Sequence, residues 1–165
     1  MYQCGDRVMY GIHGVCSILS LEDRVVDRKR LQYYVLEPLA QQGARFFVPV
    51  HNELAVSKMR PVLNKEELDH IVSSPEAYAD TWIPDENQRK LRYKELIGSG
   101  DRIALISMTR SLYKQKALQL EAGKKFHLCD ENFLRDARKL ISTEFSLVYS
   151  LEGEALNEYM TKILE

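Results

Sequence analysis

The sequence predicts an α+β chain in two domains: a small N-terminal β-barrel over residues 1–60, then an all-helical domain of about five helices over 61–165. Two patterns predict it. The first part holds short runs rich in branched and aromatic residues at roughly 8–12-residue spacing, the signature of a small barrel rather than a parallel sheet. After Arg60-Pro61 glycines become rarer and apolar residues recur at helical spacing. A length of 165 residues accommodates one medium domain or two small ones.

Asp6-Arg7-Val8-Met9-Tyr10 is a short strand candidate, followed by Gly11-Ile12-His13-Gly14, where the glycines mark a tight turn. Val15 to Leu21 is a second strand. The charged stretch Glu22 to Arg30 is expected to be a strand end and a hairpin tip. Leu31 to Glu37 is rich in aromatic and branched residues and stops at Pro38. Gln42-Gly43 is turn-like, Arg45 to Val50 is the next strand, and Ala55-Val56 is expected as a last short one.

In the second half, Asn64 can cap a helix whose first turn carries Glu66 and Glu67, at the positive end of the helix dipole. That helix is expected to end near Ser73-Ser74-Pro75. A second starts at Pro84-Asp85-Glu86-Asn87 and runs to Ile97, with Arg89, Lys90, Arg92 and Lys94 as its basic residues. Gly98-Ser99-Gly100-Asp101 ends it and caps a third, over about 102–121. Gly123 breaks the third. A fourth is expected over about 130–148, opening on Asp130 and Glu131, and a short last helix follows Gly153.

Composition bounds the function. The hydrophobic fraction is 45% and the charged fraction 28%, values of an ordinary globular chain. No apolar run approaches the roughly 20 residues of a membrane span, so no membrane partner is expected. Met1 to Asp6 has no basic-then-apolar secretory pattern, and the expected compartment is the cytoplasm. Cys4, Cys16 and Cys129 are widely spaced and expected to be reduced thiols. Net charge is −1, and from Arg60 onward 16 Lys and Arg stand against 18 Asp and Glu. Nucleic-acid contact therefore requires a local basic patch.

Enzyme signatures are missing: no phosphate loop, no dinucleotide fingerprint, no His-Glu-x-x-His, no nucleophile elbow. His127-x-Cys129 lacks nearby partners for a zinc site. His13 reads as a packed or hydrogen-bonded turn residue rather than a base. The expectation is a protein that is not an enzyme and uses no cofactor and no metal.

Gly5-Asp6-x-Val8-x-Tyr10-x-x-His13-Gly14-Val15 resembles the start of the CarD/CdnL family of transcription regulators, whose N-terminal module also occurs in transcription-repair coupling factor. The resemblance continues through Tyr33-Tyr34-Val35-Leu36, Phe47-Val48-Pro49-Val50 and Arg60-Pro61-Val62. In the second half it covers Trp82, Arg89 to Lys94, Ser99-Gly100-Asp101, Arg110-x-Leu112 and Ala137 to Ile141 with Glu144. The ordered series, not any single motif, carries it.

The resemblance implies a Tudor/SH3-like barrel that binds the β-subunit lobe of RNA polymerase by edge-strand pairing, in which main-chain hydrogen bonds give affinity and side chains give specificity. Arg24 matches a basic contact residue on that strand and Val26 an apolar neighbour. Phe47 stands where family members can have a second cation, so this contact differs here. The helical domain is implied to touch promoter DNA, weakly and without reading sequence, at the upstream edge of the transcription bubble. Trp82 would act as a minor-groove wedge, with Arg89, Lys90, Arg92 and Lys94 on the phosphates. The chain would act as a monomer, reach the nucleoid through the polymerase, and shift open-complex stability. An adaptor that binds another protein and never touches DNA is the alternative, favoured by the acidic balance of the second half. Two departures stand out. The segment between Trp82 and Ser99 is longer than the common family pattern, and Asp130-Glu131-Asn132 replaces a more basic helix start.

Overall fold

A computed structural model describes residues Met1–Glu165. The chain divides into two compact units, Met1–Val62 and Leu63–Glu165. The first is a five-stranded antiparallel sheet with one short helix, and the second holds five helices, so the α+β layout is as expected.

In the first unit the strands are β1 (Arg7–Tyr10), β2 (Val15–Val26), β3 (Lys29–Pro38), β4 (Phe46–Pro49) and β5 (Met59–Pro61), in the order β4-β3-β2-β1-β5. A single 3-10 turn, Gly11–His13, links β1 to β2, and Gly14 leaves it at φ 70°, a backbone region open to glycine. His13 packs its ring 3.8 Å from that of Phe46 and 5.8 Å from that of Tyr10. Burial lowers its pKa, which favours the neutral imidazole.

The charged stretch Glu22–Arg30 is more regular than its composition indicates. β2 and β3 pair all the way to Val26↔Lys29. Asp27 and Arg28 make the turn with φ of 52° and 64°. Positive φ at both central residues is the geometry of a two-residue hairpin whose twist matches its strands. A register shift between Ile18 and Ser20 interrupts the pairing lower down. It places an extra residue in β2 and bends the ribbon.

One expectation is overturned here. Ala55-Val56 is not a strand. It lies in a short helix, α1 (Glu53–Ser57), because the Asn52 side chain accepts the Ala55 N–H at 3.1 Å and caps the turn. The last strand is β5 instead, paired antiparallel to β1. Pro61 is tolerated there because β5 is an edge of the sheet. The core of the unit is Val8, Cys16, Ile18, Tyr34, Leu36, Val48 and Met59. Burial pushes the Cys16 thiol up to about 11, which keeps it an inert packing residue.

The second unit contains α2 (Lys65–Ser73), a 3-10 turn at Pro75–Tyr78, α3 (Glu86–Ser99), α4 (Arg102–Glu121), α5 (Leu128–Tyr149) and α6 (Gly153–Leu164). α2 opens with a reciprocal capping box. Asn64 accepts the Glu67 N–H at 2.9 Å, and Glu67 accepts the Asn64 N–H at 2.8 Å. Asp85 caps α3, and Asp101 caps α4 after Gly100 has turned the chain at φ 65°. The core runs through Leu68, Tyr93, Leu105, Ile106, Met108, Leu112, Leu134, Phe145, Met160 and Leu164. No helix is long and apolar enough to cross a membrane.

Candidate functional site

In the sheet unit the candidates sit on the β2–β3 ribbon and the neighbouring edge strand. β1 pairs with β2 only over Val15–Ser17, with two further backbone bonds at Ile18. From Ser20 to Val26, β2 has a strand partner only on its β3 side. Its other edge is therefore a row of backbone groups able to accept a further strand. Leu21, Val25 and Val26 are exposed along this segment, unusual for apolar residues on a free edge.

Arg24 lies on the same segment. Its guanidinium is 3.5 Å from the centre of the Phe47 ring, so the side chain reaches across β3 to β4. A second, looser contact at 3.5 Å joins it to Glu22. Phe47 is itself 37% exposed. The structure thus brings Arg24 and Phe47 together, and the aromatic face holds the cation in place. Val26 stands at the tip beside the turn.

In the helical unit the candidates converge on the loop before α3. Trp82 is half-buried against the helical core. The loop is tied at several points. Asp80 accepts the Trp82 N–H at 3.0 Å, Ser111 accepts the Thr81 N–H at 2.9 Å, and Tyr93 donates to the Thr81 carbonyl at 3.2 Å. The Trp82 N–H, with help from Lys114, lowers the pKa of the Asp80 carboxyl.

Arg89 departs from the role expected of it. It is 3% exposed, not a cation on a solvated face. Its guanidinium makes two 2.8 Å bonds to the carboxylate of Asp130, itself buried at the start of α5. It also donates to the carbonyl of Ile83 at 2.7 Å and lies 4.1 Å from the centre of the Trp82 ring. These contacts occupy Arg89 inside the fold, where no phosphate reaches it. The physical reason is the bidentate fit of a guanidinium to a carboxylate, which alone makes burial of both charges tolerable. Asp130, read from sequence as a helix-opening acid, is the missing half of that pair.

The other three basic residues do lie at the surface. Lys90 pairs with Glu86 one turn earlier, and Arg92 with Glu95 at 3.2 Å. Both are exposed pairs, each contributing little to stability. Lys94 is exposed. Sequence reasoning also missed a second buried pair. Arg102 makes two 2.7 Å bonds to Glu144, which accepts the Leu63 N–H at 2.9 Å as well. Glu144 carried part of the resemblance, but nothing local to it names its partner.

Comparison with known proteins places these features. Over 160 residues the chain is 21% identical to a Bacillus subtilis (strain 168) protein named "Putative transcription factor YdeB", an alignment that covers 96% of this chain and 99% of the relative. The sheet unit matches a family model described as CarD-like/TRCF RID domain. Residues 2–63 are thus similar to the CarD-like/TRCF RID domain over nearly the whole sheet unit.

Proposed function

We propose that this chain is a transcription regulator without enzymatic activity, whose N-terminal unit is a Tudor-like barrel that docks on the β-subunit lobe of RNA polymerase. The observation that carries the reading is the unpaired outer edge of β2 from Ser20 to Val26, inside the segment that matches an RNA-polymerase-interacting module. A partner strand added there gains main-chain hydrogen bonds. Arg24, Val26 and Phe47 would contribute the side-chain part of the contact. The helical unit would then meet promoter DNA at the upstream edge of the bubble, with Trp82 as an apolar wedge and Lys90, Arg92 and Lys94 on the phosphates. Such a binder shifts the closed–open equilibrium by its difference in affinity for the two states.

The test is a pull-down with the isolated β lobe. Wild-type protein retains the lobe and Arg24→Glu does not. Equal retention by both sinks the docking assignment. In a promoter assay, Trp82→Ala keeps polymerase binding and loses the effect on open-complex lifetime. A variant that remains fully active rules out the wedge.

The acidic balance of the helical unit favours a second reading, an adaptor that binds protein alone. A DNA crosslink upstream of the bubble that forms only with polymerase present separates the two. Its absence leaves the adaptor. In the first reading, tethering by the polymerase supplies the effective concentration that makes a weak, sequence-independent contact count.

A further inference from the structure

The helical unit contains a groove of about 760 Å³ that lies among α4, the 3-10 turn at Pro75–Tyr78 and the end of α6. That volume falls within the range of small-molecule sites, roughly 300–1,000 Å³. Its charge is unlike that of the rest of the unit. Arg110, Lys114, Lys116 and Lys162 line it, against a single acidic side chain, Glu165, which already accepts a bond from Arg138 at 3.0 Å.

Arg110 sets the field. Its guanidinium donates to the carbonyls of Val72, Ala77 and Ile163 at 2.8–3.1 Å and has no carboxylate partner among them. Carbonyl dipoles hold the cation but do not cancel its net charge. Burial accordingly lowers its pKa from the ordinary arginine value. The Tyr78 ring lies 3.9 Å from this guanidinium and is 65% exposed. At the rim, Lys162 is exposed, and Lys114 has only a 3.4 Å contact to Asp80. Lys116 is engaged with Glu131 at 2.8 Å.

We propose that this groove binds a free nucleotide carrying a di- or triphosphate, with Lys114 and Lys162 on the phosphates, Arg110 supplying a fixed positive field, and the base against Tyr78. Several cations gathered in a concave site select for a ligand with several negative charges close together. The exposed aromatic ring selects for a planar group attached to them. The assignment is independent of polymerase docking.

The test is calorimetric titration of the whole chain with ATP and GTP at low salt, beside tripolyphosphate, adenosine and a short DNA duplex. Saturable binding of a nucleotide is expected, with tripolyphosphate weaker and adenosine undetectable. The double variant Lys114→Glu/Lys162→Glu should lose about a hundredfold in affinity, since each of the two lost charge-assisted contacts is worth about a factor of ten. Its circular dichroism should stay at the wild-type value, with the melting temperature lowered by the loss of the Lys114–Asp80 pair. Tyr78→Ala should erase the preference for nucleotide over tripolyphosphate. No saturable nucleotide binding, or affinity unchanged in the folded double variant, overturns the proposal. So does a duplex that binds more tightly than the nucleotide and displaces it, which would make the groove a nucleic-acid surface.

Discussion

The guanidinium of Arg89 lies 4.1 Å from the centre of the Trp82 ring while its Nε edge is locked by two bonds to Asp130. The wedge candidate is thus backed by a buried ion pair, which makes Arg89 a positioning residue. Removing one partner of such a pair strands the other charge, at a cost of about 3–5 kcal/mol. Asp130→Ala should therefore lower the urea midpoint markedly. Trp82 is the chain's only tryptophan, so its fluorescence reports on the loop directly. Acrylamide should quench it more readily in folded Asp130→Asn than in wild type. Equal quenching would mean that Arg89 does not hold the ring.

Asp80 gives the same loop a dependence on pH. Its carboxylate accepts the Trp82 N–H and pairs with Lys114, and the pKa of the folded state is lowered. A depressed carboxyl pKa contributes stability above the unfolded value, and that contribution is lost as pH falls through the folded value. The loop should hold at neutral pH and loosen only below the ordinary aspartate range. A fluorescence titration of Trp82 should show this acid transition in wild type. Asp80→Ala should remove it, leaving a flat signal until the protein unfolds.

The features legible in the sequence were those set by near neighbours. Asn64 with Glu67, Asp85, and the Gly100-Asp101 pair announce helix ends because a cap is satisfied within three or four residues. Ala55-Val56 misled because branched residues favour strands only where a partner strand exists, and the Asn52 cap won. Arg89 belongs in sequence to an i to i+5 cluster of cations that looks like one basic face. The residue that removes Arg89 from that face, Asp130, is 41 positions away in sequence. Arg24 and Phe47 each stand out in the sequence through the family resemblance, yet their stacking depends on the order of strands in the sheet, which composition does not encode.

That stacking makes a prediction about docking. Phe47 cannot pair with a carboxylate, but its ring fixes the direction of the Arg24 guanidinium at 3.5 Å. A cation–π contact at an exposed site is worth roughly 0.5–1 kcal/mol. Phe47→Ala should weaken binding to the β lobe severalfold without unfolding the sheet. Phe47→Arg should instead add a cation and steepen the dependence of binding on salt. If Phe47→Ala binds as tightly as wild type, the ring plays no part in presenting Arg24.

The remaining cations of α3 make the last prediction. With Arg89 committed to Asp130, the phosphate contacts available on this helix reduce to Lys90, Arg92 and Lys94. Lys90 and Arg92 each hold a nearby glutamate in an exposed pair, so in the proposed DNA contact each would exchange one partner for another and gain less than a free cation. Lys94→Ala should therefore cost more affinity than Lys90→Ala. Each phosphate contact removed lowers the salt slope of DNA binding by about 0.9. Crosslinking yield at the upstream bubble edge, measured with polymerase across a salt series, reads this directly. A slope unchanged in the triple alanine variant would place the phosphate contacts elsewhere and leave Trp82 without the flanking cations that hold a wedge in the groove.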